Sequence, residues 1–326
     1  MTPAASGPIG LVDIEAAARR IAGSIARTPL VLSQSLSRAG ASVHLKLETR
    51  QPTGSFKLRG ASNAVAMLDE RARAAGLVTA STGNHGRALA QAARDHGARA
   101  VVCMSQLVPA NKVEAVASLG AEIRIVGRSQ DEAQREVDRL VREESLTEIP
   151  PFDHVGVIAG QGTIGLEIVA DLPQVAQVLI PLSGGGLASG VAAAVKALRP
   201  HARIVGVSMA RGAAMQASLS AGRPIEVEEQ ETLADSLGGG IGLSNRYTFA
   251  MCRALLDEVV LLEEGEIAAG IQHAFLSEGE VVEGAGAVGI AALLAGKIVP
   301  VGPTAIIVSG RNIDEARHRR IAAEGA

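Results

Sequence analysis

Tryptophan is absent from this chain, Tyr247 is its one tyrosine, and phenylalanine occurs four times. So few rings exclude the aromatic platforms on which nucleic-acid bases stack. The two cysteines, Cys103 and Cys252, each lie in an apolar run and read as small buried hydrophobes, not as a disulfide or a metal pair. No excess of one charge exists: 31 Lys and Arg against 34 Asp and Glu leave a net −3. That balance gives no electrostatic reason to expect nucleic acid or an anionic membrane as partner. Met1 to Gly10 show no basic segment followed by an apolar one, so no secretory leader is expected. Ala176 to Val195 carry no charge, yet Pro181 and Gly184-Gly185-Gly186 interrupt them, which suits strand, loop and helix and not a membrane span. Repeats, heptads and long low-complexity segments are missing too. The expectation is a soluble, cytoplasmic protein.

What is present is a globular composition, 47% hydrophobic with 37 glycines over 326 residues, enough for one large core or two ordinary ones. Short β-rich runs alternate with longer helical patterns, as in βαβ units around a mostly parallel sheet. Strands are predicted over 43–47, 77–80, 100–104, 122–126, 177–182, 204–207 and 305–309. Helices are predicted over 13–24, 85–96, 111–118, 129–144, 186–198, 264–276 and 287–294, with Asp13 and Ser129 as N-caps. Pro150-Pro151 is the sharpest break, because two prolines continue neither a ladder nor a helix. Strand order does not follow from these patterns.

Three strand-to-helix turns carry groups suited to anions. Ser81-Thr82-Gly83-Asn84-His85-Gly86 follows a strand and opens a helix, whose first N–H groups and dipole favour a carboxylate. Read alone, it is better taken as an ordinary capped loop. Ser183-Gly184-Gly185-Gly186-Leu187 lets backbone wrap closely round a phosphate ahead of a helix. It matches neither the dinucleotide fingerprint nor the P-loop, so a small monophosphate is the expected occupant. Asp235 to Gly242, with Gly238-Gly239-Gly240, is a second anion loop or backbone passing close to a planar group. Lys57 lies between Gly54 and Gly60, close to Arg59. A neighbouring cation or an apolar pocket would lower its pKa and make it nucleophilic, although most lysines are surface residues.

Thr53 to Ala61 resembles the cofactor-lysine motif of fold-type II pyridoxal-phosphate enzymes, in the threonine dehydratase and serine racemase branch. The Ser81 to Gly86 turn resembles that branch's substrate-carboxylate loop, Ser183 to Leu187 its phosphate cup, and Ser309-Gly310-Arg311-Asn312 its Ser-Gly-Gly-Asn segment. The motifs stand in family order from about Asp13 onwards. Within the branch, 47–54, 234–242 and 309–314 look most similar to hydroxyectoine-utilisation dehydratases.

The resemblance implies an α/β fold of two open, mostly parallel sheets flanked by helices, with pyridoxal 5'-phosphate between two domains. Residues 1–47 and 152–326 would form the larger, and 48–151 a mobile smaller one carrying the Ser81 to Gly86 turn. Lys57 would hold the cofactor as a Schiff base and later act as general base; Thr82, where racemases have a second catalytic serine, would be the other catalytic candidate. Phe56, Asn84, Ser183, Gly184, Gly185, Gly186, Leu187, Gly238, Glu283 and Ser309 would contact the cofactor, Asn84 at its ring hydroxyl and Ser309 at its pyridine nitrogen. Ser81, Thr82, Gly83, Asn84 and His85 would bind the substrate carboxylate. Asp235 and Glu283 are candidates for a second substrate amino group. Ser208 and Ala214 occupy the places of two carboxylates in metal-binding members, so no metal is expected, and no further amino-acid-binding domain after Arg320.

The implied reaction is β-elimination from a β-hydroxy-α-amino acid. The candidate substrate is 3-hydroxy-2,4-diaminobutyrate from hydroxyectoine degradation, with an imine reductase as functional partner and a homodimer as assembly. The alternatives are an L-threonine or L-serine dehydratase, a serine racemase, and a non-catalytic cofactor-binding protein.

Overall fold

The computed structural model of the chain describes residues 8–81, 83–108 and 110–323. Its strands run in chain order as β1 Leu30–Arg38, β2 Ala41–Leu47, β3 Leu77–Ala80, β4 Ala100–Met104, β5 Glu122–Ile125, β6 Thr147–Glu148, β7 Gln177–Pro181, β8 Arg203–Met209, β9 Glu258–Leu262 and β10 Thr304–Val308. They form a six-stranded sheet of order β1-β2-β10-β7-β8-β9 and a four-stranded sheet of order β5-β4-β3-β6. Every pairing is parallel except β1 with β2. Two open, mostly parallel sheets are therefore what the chain builds.

Alternation along the strands sends successive side chains to opposite faces. Leu179, Val205 and Ile306 pack on one side of the larger sheet against the helices Glu264–Leu276 and Gly284–Leu294. Val178, Ile180, Ile204 and Ile307 pack on the other against the helices Val155–Asp171 and Gly186–Leu198. In the smaller sheet Val78, Val101 and Cys103 face the helix Gln130–Glu144, while Leu77, Val102 and Met104 join the opposite cluster. Cys103 and Cys252 are both buried and free. No helix of the described residues is long and apolar enough to cross a membrane.

The seven predicted strands appear within a few residues of their expected positions; β1, β6 and β9 were not visible as patterns. Ser129 does cap its helix, accepting the Glu132 N–H at 3.2 Å. Asp13 does not cap: it sits inside the first turn of the helix Leu11–Ile21, and its carboxylate accepts the N–H of Gly10, the true N-cap, at 2.9 Å. The helix Lys57–Ala66 escaped prediction. Its polar residues Arg59, Ser62 and Asn63 are buried, so no apolar stripe marks a solvent boundary.

Candidate active site

Loops at the carboxyl ends of parallel strands converge on one region, as expected for open α/β sheets. Strands β2, β10 and β7 are neighbours. The chain leaving β2 reaches Lys57, the chain leaving β10 begins with Ser309, and the chain leaving β7 enters Ser183 to Leu187. Direct contacts join the first two. Phe56 N–H donates to Ser309 O at 3.0 Å, Arg311 N–H donates to Gly54 O at 2.9 Å, and Ser55 bridges Gly310.

Lys57 is the first residue of the helix Lys57–Ala66, where the positive end of the dipole opposes a second positive charge. The residue as a whole is half-buried, and its Nζ donates to the carbonyl of Pro151 at 2.7 Å and lies 5.3 Å from the Phe56 ring centroid. Desolvation pulls its pKa down to about 8, against the upward pull of the Glu283 carboxylate. The neighbouring cation does not produce this shift. Arg59 is wholly buried and committed to Glu48 and Glu167, with Nε and Nη2 on the Glu48 carboxylate at 2.8 Å and Nη1 on Glu167 Oε1 at 2.7 Å. Lys46, also buried, completes the group on Glu167 at 2.5 Å.

The second turn leaves β3 and opens the helix Asn84–Asp95. Ser81 Oγ accepts the N–H of Gly86 at 3.0 Å and of Gly83 at 3.4 Å, so its side chain serves the turn itself. The N–H groups of Asn84 and His85, first in their helix, have no intrahelical acceptor. His85 is buried and neutral: desolvation first, then the Lys57 charge, push its pKa down to about 3. Its Nε2 meets Ile149 O at 2.8 Å, and its Nδ1 has no partner among the described residues. Thr82 lies outside the described residues.

In the third turn the conformation is fixed by glycine. Gly185 has φ +87°, a left-handed geometry that side chains resist. A Cβ on Gly184 would stand 2.4 Å from the Phe152 ring, and one on Gly186 would stand 2.9 Å from Phe152 Cα. The helix Gly186–Leu198 then starts directly, so the first amides of an uninterrupted helix front the turn. Ser309 is buried at the end of β10, its hydroxyl making, among the described residues, one long contact of 3.4 Å with Ala285 O. Ser55 Oγ, buried beside Gly310, has no partner among the described residues.

Glu283 is a buried carboxyl whose Oε1 accepts from Asn84 Nδ2 at 2.7 Å. Burial, then the Asp235 charge, push its pKa up to about 7. Sequence reading placed Glu283 only through the resemblance, because no local pattern marks it. Asp235 is exposed and paired with Lys112 at 3.0 Å; with Gly238 it borders a cavity of about 300 Å³ shared with Glu229, Thr232 and Arg317. The same loop stays within electrostatic reach of the turns around Lys57, because the Asp235 charge acts on Glu283 and Leu233 packs against Gly284. Ser208 Oγ rests on Met209 Sδ at 3.3 Å, and among the described residues no three His, Cys, Asp or Glu gather as a metal site. Three residues beyond the motifs belong to this region: Pro151 and Phe152, whose proline signal read only as a break, and Arg87, one turn into the helix after Asn84.

Comparison with known proteins agrees with this geometry. The profile of the family described as "Pyridoxal-phosphate dependent enzyme" matches residues 21–310. A "Putative threonine dehydratase" of Sinorhizobium fredii is 62% identical over 96% of this chain and 95% of its own. An "L-threonine ammonia-lyase" of Thermotoga maritima is 41% identical over 97% of this chain and 79% of its own. The solved structure of maize serine racemase superimposes with a TM-score of 0.91 at 32% identity, covering 97% of this chain and 98% of that one.

Proposed function

This chain belongs to the family of pyridoxal-phosphate dependent enzymes, and we propose that it is a lyase that removes water and then ammonia from a β-hydroxy-α-amino acid. The observation that carries the proposal is Lys57, a lysine with pKa drawn down to about 8 and flanked by an anion cradle and a carboxylate turn. The residues fit the cofactor: glycines 184–186 make a cradle that any Cβ would fill, and Ser55 Oγ is a buried polar atom without a partner.

On this reading the amides of 184–187 would hold the phosphate, Lys57 would carry the cofactor, and the Ser309 hydroxyl would serve the ring nitrogen. When bound, pyridoxal phosphate supplies the electron sink that makes an α-proton removable. The free amides of Asn84 and His85 grip the substrate carboxylate and so orient the α-carbon. Lys57 would take the α-proton, and the Pro151 carbonyl, 2.7 Å from its Nζ, would hold the resulting ammonium. Ser309 would offer the ring nitrogen a neutral hydroxyl and no carboxylate, which would favour loss of a β-hydroxyl over transamination. Water leaves at elimination and returns at hydrolysis, so the net change is amino acid to 2-oxo acid plus ammonia. The helices and strands within 48–151 form the mobile smaller domain, and the active form is a homodimer.

The relatives' names support L-threonine or L-serine as substrate. A second reading, 3-hydroxy-2,4-diaminobutyrate with an imine reductase downstream, is favoured by Glu283, a buried carboxylate beside Asn84 that suits a second ammonium group. Assays of 2-oxo acid, ammonia and product chirality with each amino acid separate dehydratase from racemase and one substrate from the other. Borohydride is expected to fix the cofactor to the parent chain and not to Lys57→Ala. Equal fixation in both would end the proposal.

A further inference from the structure

The Asn84 side chain is held by a chain of side-chain amides whose direction is set from one end. Arg87 can only donate, and its Nη1 meets Asn312 Oδ1 at 3.1 Å. Asn312 must therefore turn its Nδ2 away from Arg87, where it donates to the carbonyl of Thr53 at 2.9 Å and to Asn84 Oδ1 at 2.5 Å. Asn84 in turn directs Nδ2 at Glu283 Oε1, 2.7 Å away. Both amide hydrogens of Asn312 are then used, and both side-chain oxygens in the chain are engaged. One N–H of Asn84 is left over. Reversing either amide would set donor against donor or acceptor against carboxylate.

Two motif glycines exist to make room for this arrangement. A Cβ on Gly54 would stand 2.6 Å from Asn312 Oδ1, and one on Gly310 would stand 2.2 Å from Glu283 Oε1. The chain also spans the two sheets, since Asn84 and Arg87 follow β3 while Glu283 and Asn312 flank β10.

We propose that Asn312, polarised by Arg87, is a positioning residue that fixes Asn84 with its remaining N–H available to an acceptor on the bound cofactor. This rests on the reading above that the site holds pyridoxal phosphate. Seating the smaller sheet's turn against the larger sheet and orienting Asn84 are then a single event.

The test uses the full chain in two arms. With pyridoxal phosphate added, Asn312→Ala is expected to shift the absorption maximum of the bound cofactor and raise its Kd about tenfold, the loss of one well-placed hydrogen bond. Arg87→Ala should shift the same maximum, and Arg87→Gln, which keeps a donor for Asn312, should restore it. An unchanged maximum and Kd in Asn312→Ala would overturn the proposal. Without cofactor, the melting shifts of Asn84→Ala and Asn312→Ala should be non-additive in the double variant; additive shifts would overturn it as well. A parent chain that takes up no pyridoxal phosphate would instead refute the proposed function, while the melting cycle still decides whether the amides are coupled.

Discussion

At the scale of single residues, two titrating groups are pushed towards neutrality, Lys57 downwards and Glu283 upwards. Pairs of groups shifted in this way mark acid–base sites. For Lys57 only the neutral amine attacks, so the rate at which added pyridoxal phosphate becomes borohydride-fixable should rise with pH and level off above about 8. A rate still climbing steeply at pH 10 would mean an unperturbed lysine. For Glu283, the folded pKa of about 7 lies above its ordinary 4.5. Between those values the folded chain binds the proton more tightly than the unfolded one, so stability from this group falls as pH rises through the window. Glu283→Gln, melted without cofactor, should gain over the parent from pH 4.5 to 7 and keep a constant advantage above. The motif residues themselves were legible in the sequence. The cause of the Lys57 shift was not, because Arg59 looks like its charged neighbour and is in fact neutralised by Glu48 and Glu167.

At the scale of elements, close helix contact matters more than helix propensity. The helix Gly186–Leu198, which follows the turn Ser183 to Gly185, packs on the helix Val155–Asp171 through Gly190. A Cβ on Gly190 would stand 2.2 Å from Ile158 O. Alanine there would add about 1 kcal/mol of helix propensity. Overpacking against backbone costs about 1–3 kcal/mol or more, because neither helix can yield without disturbing the cradle. Gly190→Ala should therefore lower the melting temperature and weaken cofactor binding together. A neutral or raised melting temperature would show that the helices separate freely. Pattern reading identified the first helix through its apolar spacing but not the second, whose residues are buried nearly all round and so lack an amphipathic period.

At the scale of the whole molecule, the Lys57 helix is fastened to the larger sheet by buried charge. Arg59 on that helix, Glu48 after β2, Lys46 on β2 and Glu167 on the helix Val155–Asp171 form one network, with Thr28 donating to Glu48 at 2.5 Å. Removing one partner of such a group leaves charge without compensation and costs about 3–5 kcal/mol. Arg59→Met should approach that range in denaturant unfolding and should weaken cofactor attachment with Lys57 itself untouched. A loss well under 1 kcal/mol, the range of exposed pairs, would show that water reaches the network.

Alternation of β-rich and helical patterns, together with glycine-rich turns after strands, determined the fold class and the three loops, because strand periodicity, glycine freedom and helix N-termini are local physics. Strand order is not local. Only the tertiary structure decided that β2, β10 and β7 lie side by side, which brings Lys57, Ser309 and the glycine turn 184–186 to one edge. It alone also decided which polar side chains spend their capacity on each other. Arg59 was claimed by Glu48, 11 residues away, and Glu167, 108 away, and Asn84 by Glu283 and Asn312, 199 and 228 away; the far partners become neighbours only when the sheets assemble.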